Sequence, residues 1–229
     1  MTDALDRNPC ESPFAGAEFV ENPEPRCPCV LLLDTSASMQ GAPIGELGAG
    51  LVAFKDELAA DALAAKRVEV AVVTFGPVRV ATSFVTPTDF VPPVLEASGD
   101  TPMGEAMARA LDLVRERKAR YRENGIPYFR PWVFLVTDGA PTDAWQEAAG
   151  AVQAAERAGK LAFFPVAVEG ANVEVLGRIG TRAPVRLVGL RFREMFAWLS
   201  RSLQSVSRSR PGESVELESP TAPDGWGKV

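Results

Sequence analysis

Val30-Leu31-Leu32-Leu33 is an unbroken apolar run that stops at Asp34. A run this short, apolar on both faces, fits a strand covered on both sides, and such strands belong to parallel sheets flanked by helices. The rest of the chain repeats the theme. Pro43 stands where a first helical residue belongs, and Ile44, Leu47, Leu51, Phe54 and Leu58 follow at spacings of three and four. Residues 68–75 form a second strand. Gly76-Pro77 then allows only a tight turn into 78–85, so the third strand runs antiparallel to the second. Residues 86–100 are Pro-rich and irregular. A long helix over 103–123, with Thr101 as N-cap and Pro102 as first residue, leads to a fourth strand at 133–138. A helix over 144–158, a fifth strand at 161–168, a short helix near 173–178 and a sixth strand at 185–188 follow. Phe192, Phe196, Leu199 and Leu203 stripe a final helix that runs to about Ser207.

Alternating strands and helices predict an α/β fold, a doubly wound, mostly parallel six-stranded sheet with one antiparallel edge strand and helices on both faces. The usual order 3-2-1-4-5-6 puts the switch point between the first and fourth strands, and ligands bind outside the carboxyl ends of strands there. The domain is expected over residues 27–210. An arm rich in Pro, Glu, Asp and Asn precedes it over 1–26, and a flexible tail of Gly, Pro, Ser and acidic residues follows over 211–229.

Composition removes several function classes. The chain has no histidine, which excludes Ser-His-Asp and Cys-His catalysis, His-based zinc sites and the commonest general base at neutral pH. Its three cysteines, Cys10, Cys27 and Cys29, cannot complete a tetrahedral zinc site unaided. Cys27 and Cys29 read as small buried hydrophobes. A formal net charge of -6 argues against nucleic-acid affinity, and no basic patch with interleaved aromatics is visible along the chain. The first residues lack a basic region followed by an apolar stretch, and no segment approaches the ~20 apolar residues that span a bilayer. A cytoplasmic protein without membrane contact is expected.

The chemistry concentrates at three places. Asp34-Thr35-Ser36-Ala37-Ser38 sets one carboxylate and two hydroxyls on a tight loop, and hard cations such as Mg2+ take oxygen ligands of this kind. Asp138 ends the fourth strand beside the first. If the third strand is antiparallel, it finishes at the far edge of the sheet, so residues 86–100 have to climb back and deliver Thr101 next to Asp34 and Asp138. Each segment alone has a plainer reading, as a strand-end turn, a helix cap and an Asp-Gly turn. Asp143 reads as an N-cap that forms a capping box with Gln146, and both it and Asp100 stand near the rim of the site.

Together these residues resemble the metal-ion-dependent adhesion site of von Willebrand factor A (vWA) domains, whose pattern is Asp-x-Ser-x-Ser, a later Thr before a helix, and an Asp ending the fourth strand. Asp34, Ser36, Ser38, Thr101 and Asp138 match it, within a resemblance covering about residues 28–207. It implies that Ser36, Ser38 and Thr101 or Asp138 touch a Mg2+ ion, with Mn2+ or Ca2+ as alternatives. Asp34 acts directly or through water, and an Asp or Glu of a partner protein fills an open position. The phrases Leu-Leu-Leu-Asp-Thr-Ser-Ala-Ser-Met, Val-Thr-Asp-Gly-Ala-Pro-Thr-Asp and Phe-Ala-Trp-Leu-Ser-Arg-Ser are similar to the TerY-like bacterial subgroup. That likeness implies a link to tellurium resistance and stress response, with a kinase-like protein and a PP2C-type phosphatase as partners. Some members carry a C-terminal zinc ribbon; the cysteines for it do not occur in this sequence, so that part of the likeness does not carry over.

Two other functions fit a similar sheet. A metal-dependent phosphoryl-transfer enzyme of the haloacid-dehalogenase type uses an aspartate at the end of the first strand, but it needs a second acid two residues later, where this chain has Ser36. No Gly-x-x-x-x-Gly-Lys-Ser/Thr phosphate loop occurs either. A metal-free structural scaffold is the third reading.

Overall fold

The computed structural model describes residues 17–222 and 225–228; Cys10 lies outside them. A short helix α1 (Ala17–Val20) precedes β1 (Cys27–Asp34), a 3-10 turn (Ala37–Met39) and α2 (Ala42–Ala60). Next come α3 (Ala64–Arg67), β2 (Val68–Phe75), β3 (Arg79–Val85), α4 (Met103–Glu123) and β4 (Trp132–Thr137). The chain continues through α5 (Gln146–Arg157), β5 (Ala162–Ala167), α6 (Val173–Leu176), β6 (Val185–Leu187), α7 (Phe192–Arg208) and β7 (Gly227–Lys228).

The strands form one sheet in the order β3-β2-β1-β4-β5-β6-β7. β1 is central and parallel to both β2 and β4, with Leu32 opposite Val73 on one side and Leu135 on the other. Every β1 residue is buried. The pleat explains the unbroken apolar run: Leu31 and Leu33 face the layer of α2 and α7, whereas Val30 and Leu32 face that of α4 and α5. β3 is antiparallel to β2, as the Gly76-Pro77 turn requires.

The sheet has seven strands where six were expected. Gly227 and Lys228 pair antiparallel with Leu187 and Arg186 of β6, which places an antiparallel strand at each edge. The expected flexible tail thus packs in part on the domain. Trp226 is buried with its ring 5.7 Å from that of Trp198, and the Trp198 indole N–H donates to the Glu218 carbonyl at 2.8 Å. A two-residue Gly-Lys strand carries no periodicity; the burial of Trp226 and bonds to its neighbours, such as Val188 N–H to the Trp226 carbonyl at 3.0 Å and Arg191 Nη1 to the Gly225 carbonyl at 2.9 Å, hold it in place.

Cys27 and Cys29 are wholly buried free thiols at the start of β1. Burial, reinforced by the Glu69 charge, pushes the Cys27 thiol from 9.0 up to about 12, and Cys29 moves in the same direction. Among the described residues no helix is long and apolar enough to cross a membrane.

Candidate metal centre

β1 and β4 are neighbours and both end at the switch point of the sheet, so Asp34 and Asp138 arrive at the same edge. Asp34 is wholly enclosed. One of its oxygens, Oδ1, accepts the Ser36 backbone N–H at 2.8 Å, while Oδ2 accepts the Thr137 hydroxyl. Ser36 Oγ and Ser38 Oγ lie 3.0 Å apart, and the Ser38 hydroxyl donates to Asp138 Oδ1 at 2.7 Å. Four of the five expected residues are therefore linked into one oxygen-lined cluster.

Thr101 completes it from the other side. Residues 86–100 do climb back to this edge, where their end is pinned to the loop after β1. The Ser98 N–H donates to the Thr35 carbonyl at 2.8 Å, and the Ala37 N–H donates to the Gly99 carbonyl at 3.0 Å. The Thr101 backbone is held on both sides by Thr142, through Thr101 N–H to Thr142 Oγ1 at 3.1 Å and Thr142 N–H to Thr101 O at 3.0 Å. Its hydroxyl has no hydrogen-bond partner among the described residues. A Cβ built at Gly139 would stand 3.2 Å from Thr101 Oγ1 and 3.8 Å from Asp34 Oδ2, so glycine there keeps the space between the two oxygens open. Gly76 does a related job at φ +114°, because a Cβ at that position would meet the Ser36 N and Cα at 2.7 and 2.8 Å.

These residues fit a hard divalent cation. All side-chain donors are carboxylate or hydroxyl oxygens. No Lys or Arg pairs with Asp34 or Asp138 among the described residues, although Asp34 is fully buried. Burial pushes the Asp34 carboxyl above its usual value, and the nearby Asp138 charge adds to that; the bonds from Ser36 and Thr137 pull the other way. A buried carboxylate beside a second one, without a cation, is the environment that a bound metal relieves. The cluster is also accessible, because Ser38 is exposed and Asp138 half-buried.

Two local expectations fail here. Thr101 does not cap α4, whose cap position is Pro102. Nor does Asp143 cap its own helix. Its carboxylate accepts the Gly104 and Glu105 N–H groups at 2.9 and 2.8 Å, at the start of α4. Proline at the cap offers no side-chain acceptor, so the exposed amides of α4 take the nearest carboxylate across the loop. This leaves the Thr101 hydroxyl free to face the cluster, and α5 begins at Gln146 with no side-chain cap. Asp100 is exposed and makes no side-chain hydrogen bond among the described residues.

The family model of the von Willebrand factor type A domain matches residues 29–194. The chain belongs to that family. Among solved structures, this vWA domain resembles the pilus adhesin SpaC from Lactobacillus rhamnosus GG in its open conformation, at TM-score 0.62 and 12% identity over 80% of this chain and 30% of that one. It also resembles proximal thread matrix protein 1 from the mussel byssus, at TM-score 0.54 and 16% identity over 81% of this chain and 46% of that one. A form of the mussel protein with a zinc-occupied MIDAS motif (its adhesion metal site) matches at TM-score 0.50 and 19% identity, over 80% and 48% of the two chains. This chain thus spans about half the length of the mussel protein, and at such identities the likeness is one of fold. No curated protein matches the sequence.

Sequence reasoning missed Thr137, Thr142 and the steric roles of Gly76 and Gly139. Thr137 closes an otherwise apolar strand, and a hydroxyl just before the strand-end carboxylate was a usable signal. Thr142 and the glycines act through close approach, which no spacing encodes.

Proposed function

We propose that this vWA domain is a non-enzymatic protein-binding module. It holds a divalent cation on Asp34, Ser36, Ser38, Thr101 and Asp138 and takes an Asp or Glu of a partner protein as a further ligand. The observation that carries this reading is the unpartnered Thr101 hydroxyl beside the enclosed Asp34 carboxylate, at a cluster open on the Ser38 side. The oxygen-only donor set favours Mg2+, with Mn2+ or Ca2+ next, over the zinc of the mussel relative's site. When bound, the cation supplies a positive, directional contact for an incoming carboxylate. Asp34 and Asp138 are held by the hydroxyls and amides around them, so the site needs little reorganisation. Ser36, two residues after Asp34, offers no general acid, which argues against phosphoryl transfer.

The motif wording around the site extends the proposal to a cytoplasmic, TerY-like role in bacterial tellurium resistance or stress response. A kinase-like protein and a PP2C-type phosphatase are the partners to try first. The test is a pull-down from bacterial lysate with the purified chain as bait, in Mg2+ and in EDTA, alongside melting curves in both buffers. The expected result is a higher Tm in Mg2+ and partners retained only with Mg2+, both lost in Ser36→Ala. An unchanged Tm, equal retention in both buffers, or turnover of a generic aryl phosphate overturns the reading.

A further inference from the structure

At the opposite edge of the sheet, where β4 and β5 begin, a cavity of about 520 Å³ opens between the end of α4, the loop before β4 and the segment after α7. β4 is six residues long, so this cavity lies about 20 Å from the metal edge. Lys118, Arg130 and Lys160 line it, although they are distant in sequence. None of the three has a carboxylate partner among the described residues. Lys118 Nζ donates to the Lys160 carbonyl at 3.2 Å and lies 5.7 Å from the Tyr128 ring centroid. Arg130 makes no hydrogen bond or ion pair among the described residues. Burial, with the charges of Arg122 and Lys160 behind it, pushes the Lys118 ammonium below its usual value. In a chain of net charge -6, these cations converge without an ion pair among the described residues. Glu213 also lines the cavity and accepts the Arg210 N–H at 2.8 Å, keeping its negative charge, while the fourth cation of the lining, Arg182, is paired with Glu156, so the lining keeps a positive excess.

Aromatic surface lies beside the charges. Phe164 and Tyr128 are half-buried in the lining, Tyr128 beneath Lys118. Trp132 is buried behind Phe164 with ring centroids 4.8 Å apart, and the Arg182 guanidinium lies 4.9 Å from the Phe164 ring centroid. The wall on the α7 side is built partly from residues 214–217, which have no regular structure. None of their backbone N–H or C=O groups has a partner among the described residues, so the wall offers main-chain donors and acceptors to a chain laid against it.

We propose that this cavity is a second, metal-independent binding site, which takes an acidic peptide segment carrying an aromatic residue. The three cations meet its carboxylates, the half-buried Phe164 and Tyr128 meet its ring, and residues 214–217 pair with its backbone. A concave site of this size fits a few residues, whereas a long polyanion would cross the acidic remainder of the surface.

The test is fluorescence anisotropy in EDTA with a labelled Glu-Glu-Tyr-Glu-Glu peptide. The neutral Gln-Gln-Tyr-Gln-Gln peptide and a single-stranded oligonucleotide serve as competitors. Saturable binding that weakens with salt is expected, with Ser36→Ala unchanged. Arg130→Glu combined with Lys160→Glu weakens it by about tenfold or more, since each reversal replaces attraction by repulsion. Both side chains are exposed, so the fold tolerates the changes; Lys160→Gln alone gives a smaller loss. Equal affinity for the neutral peptide, indifference to the charge reversals, or tighter binding of the oligonucleotide refutes the proposal. Loss of binding in Ser36→Ala would also refute it, because that places the peptide at the metal edge.

Discussion

Glu69→Gln probes the most concentrated charge in the interior. Glu69 lies on β2 and is 2% exposed, and the three side chains around it are equally enclosed, Arg26 at 2%, Arg117 at 4% and Tyr121 at 0%. Oε1 accepts from Arg26 Nε at 2.9 Å and Arg117 Nη2 at 2.7 Å; Oε2 accepts from Arg117 Nε at 2.7 Å and from the Tyr121 hydroxyl. Glutamine has nearly the same shape, but it removes the negative charge and turns an amide N–H2 toward a guanidinium. Two buried arginines lose their shared counter-charge, and breaking a buried pair in this way costs about 3–5 kcal/mol. That is a large part of the 5–15 kcal/mol that holds a typical domain folded. With a urea m-value of about 2 kcal/mol/M, the unfolding midpoint falls by about 2 M. Two-state urea denaturation followed by far-UV circular dichroism measures it. The triple change Glu69→Gln, Arg26→Met and Arg117→Met recovers much of the loss, since the cluster then holds no charge to solvate and the glutamine keeps the Tyr121 hydroxyl as a partner. A midpoint shift below about 0.5 M for Glu69→Gln, or a triple variant no better than the single one, refutes the reasoning.

Thr137→Val removes the hydroxyl that donates to Asp34 Oδ2. It should cost about 1–3 kcal/mol of stability and weaken Mg2+ binding in calorimetric titration; intact affinity would show that Thr137 only fills space. Asp143→Ala exposes the Gly104 and Glu105 amides and should destabilise by about 0.5–2 kcal/mol, with amide exchange quickening at the start of α4. The raised thiols set a pH dependence. Their neutral form is favoured in the fold, so their contribution is complete below pH 9.0 and is lost as pH rises toward 12. Denaturation midpoints should therefore decline as pH rises from 9.0 toward 12, less steeply in Cys27→Ala/Cys29→Ala, and native alkylation of both thiols should be slow.

The sequence was most legible where burial and periodicity agree. β2 and α4 have the residue bounds read from the chain, and β1 starts earlier only because Cys27, Pro28 and Cys29 share its enclosure. The antiparallel β3 followed from the Gly76-Pro77 turn, and the return of Thr101 to the Asp34 edge followed from β3 in turn. Legibility failed for α4, whose cap comes from Asp143, 39 residues from the Gly104 amide it accepts. It failed also for the cationic cavity, because Lys118, Arg130 and Lys160 form no run along the chain.

The sequence by itself determined the alternation of strands and helices and the residue types at the metal edge, since strand and helix periods and the strand-end carboxylates are local properties. Only the tertiary structure decided which hydroxyls are free and which are spent on caps, that Trp226 recruits a seventh strand, and that three scattered cations share one aromatic-lined cavity. These depend on side chains approaching from elements far apart in the chain, and no spacing rule records such distances.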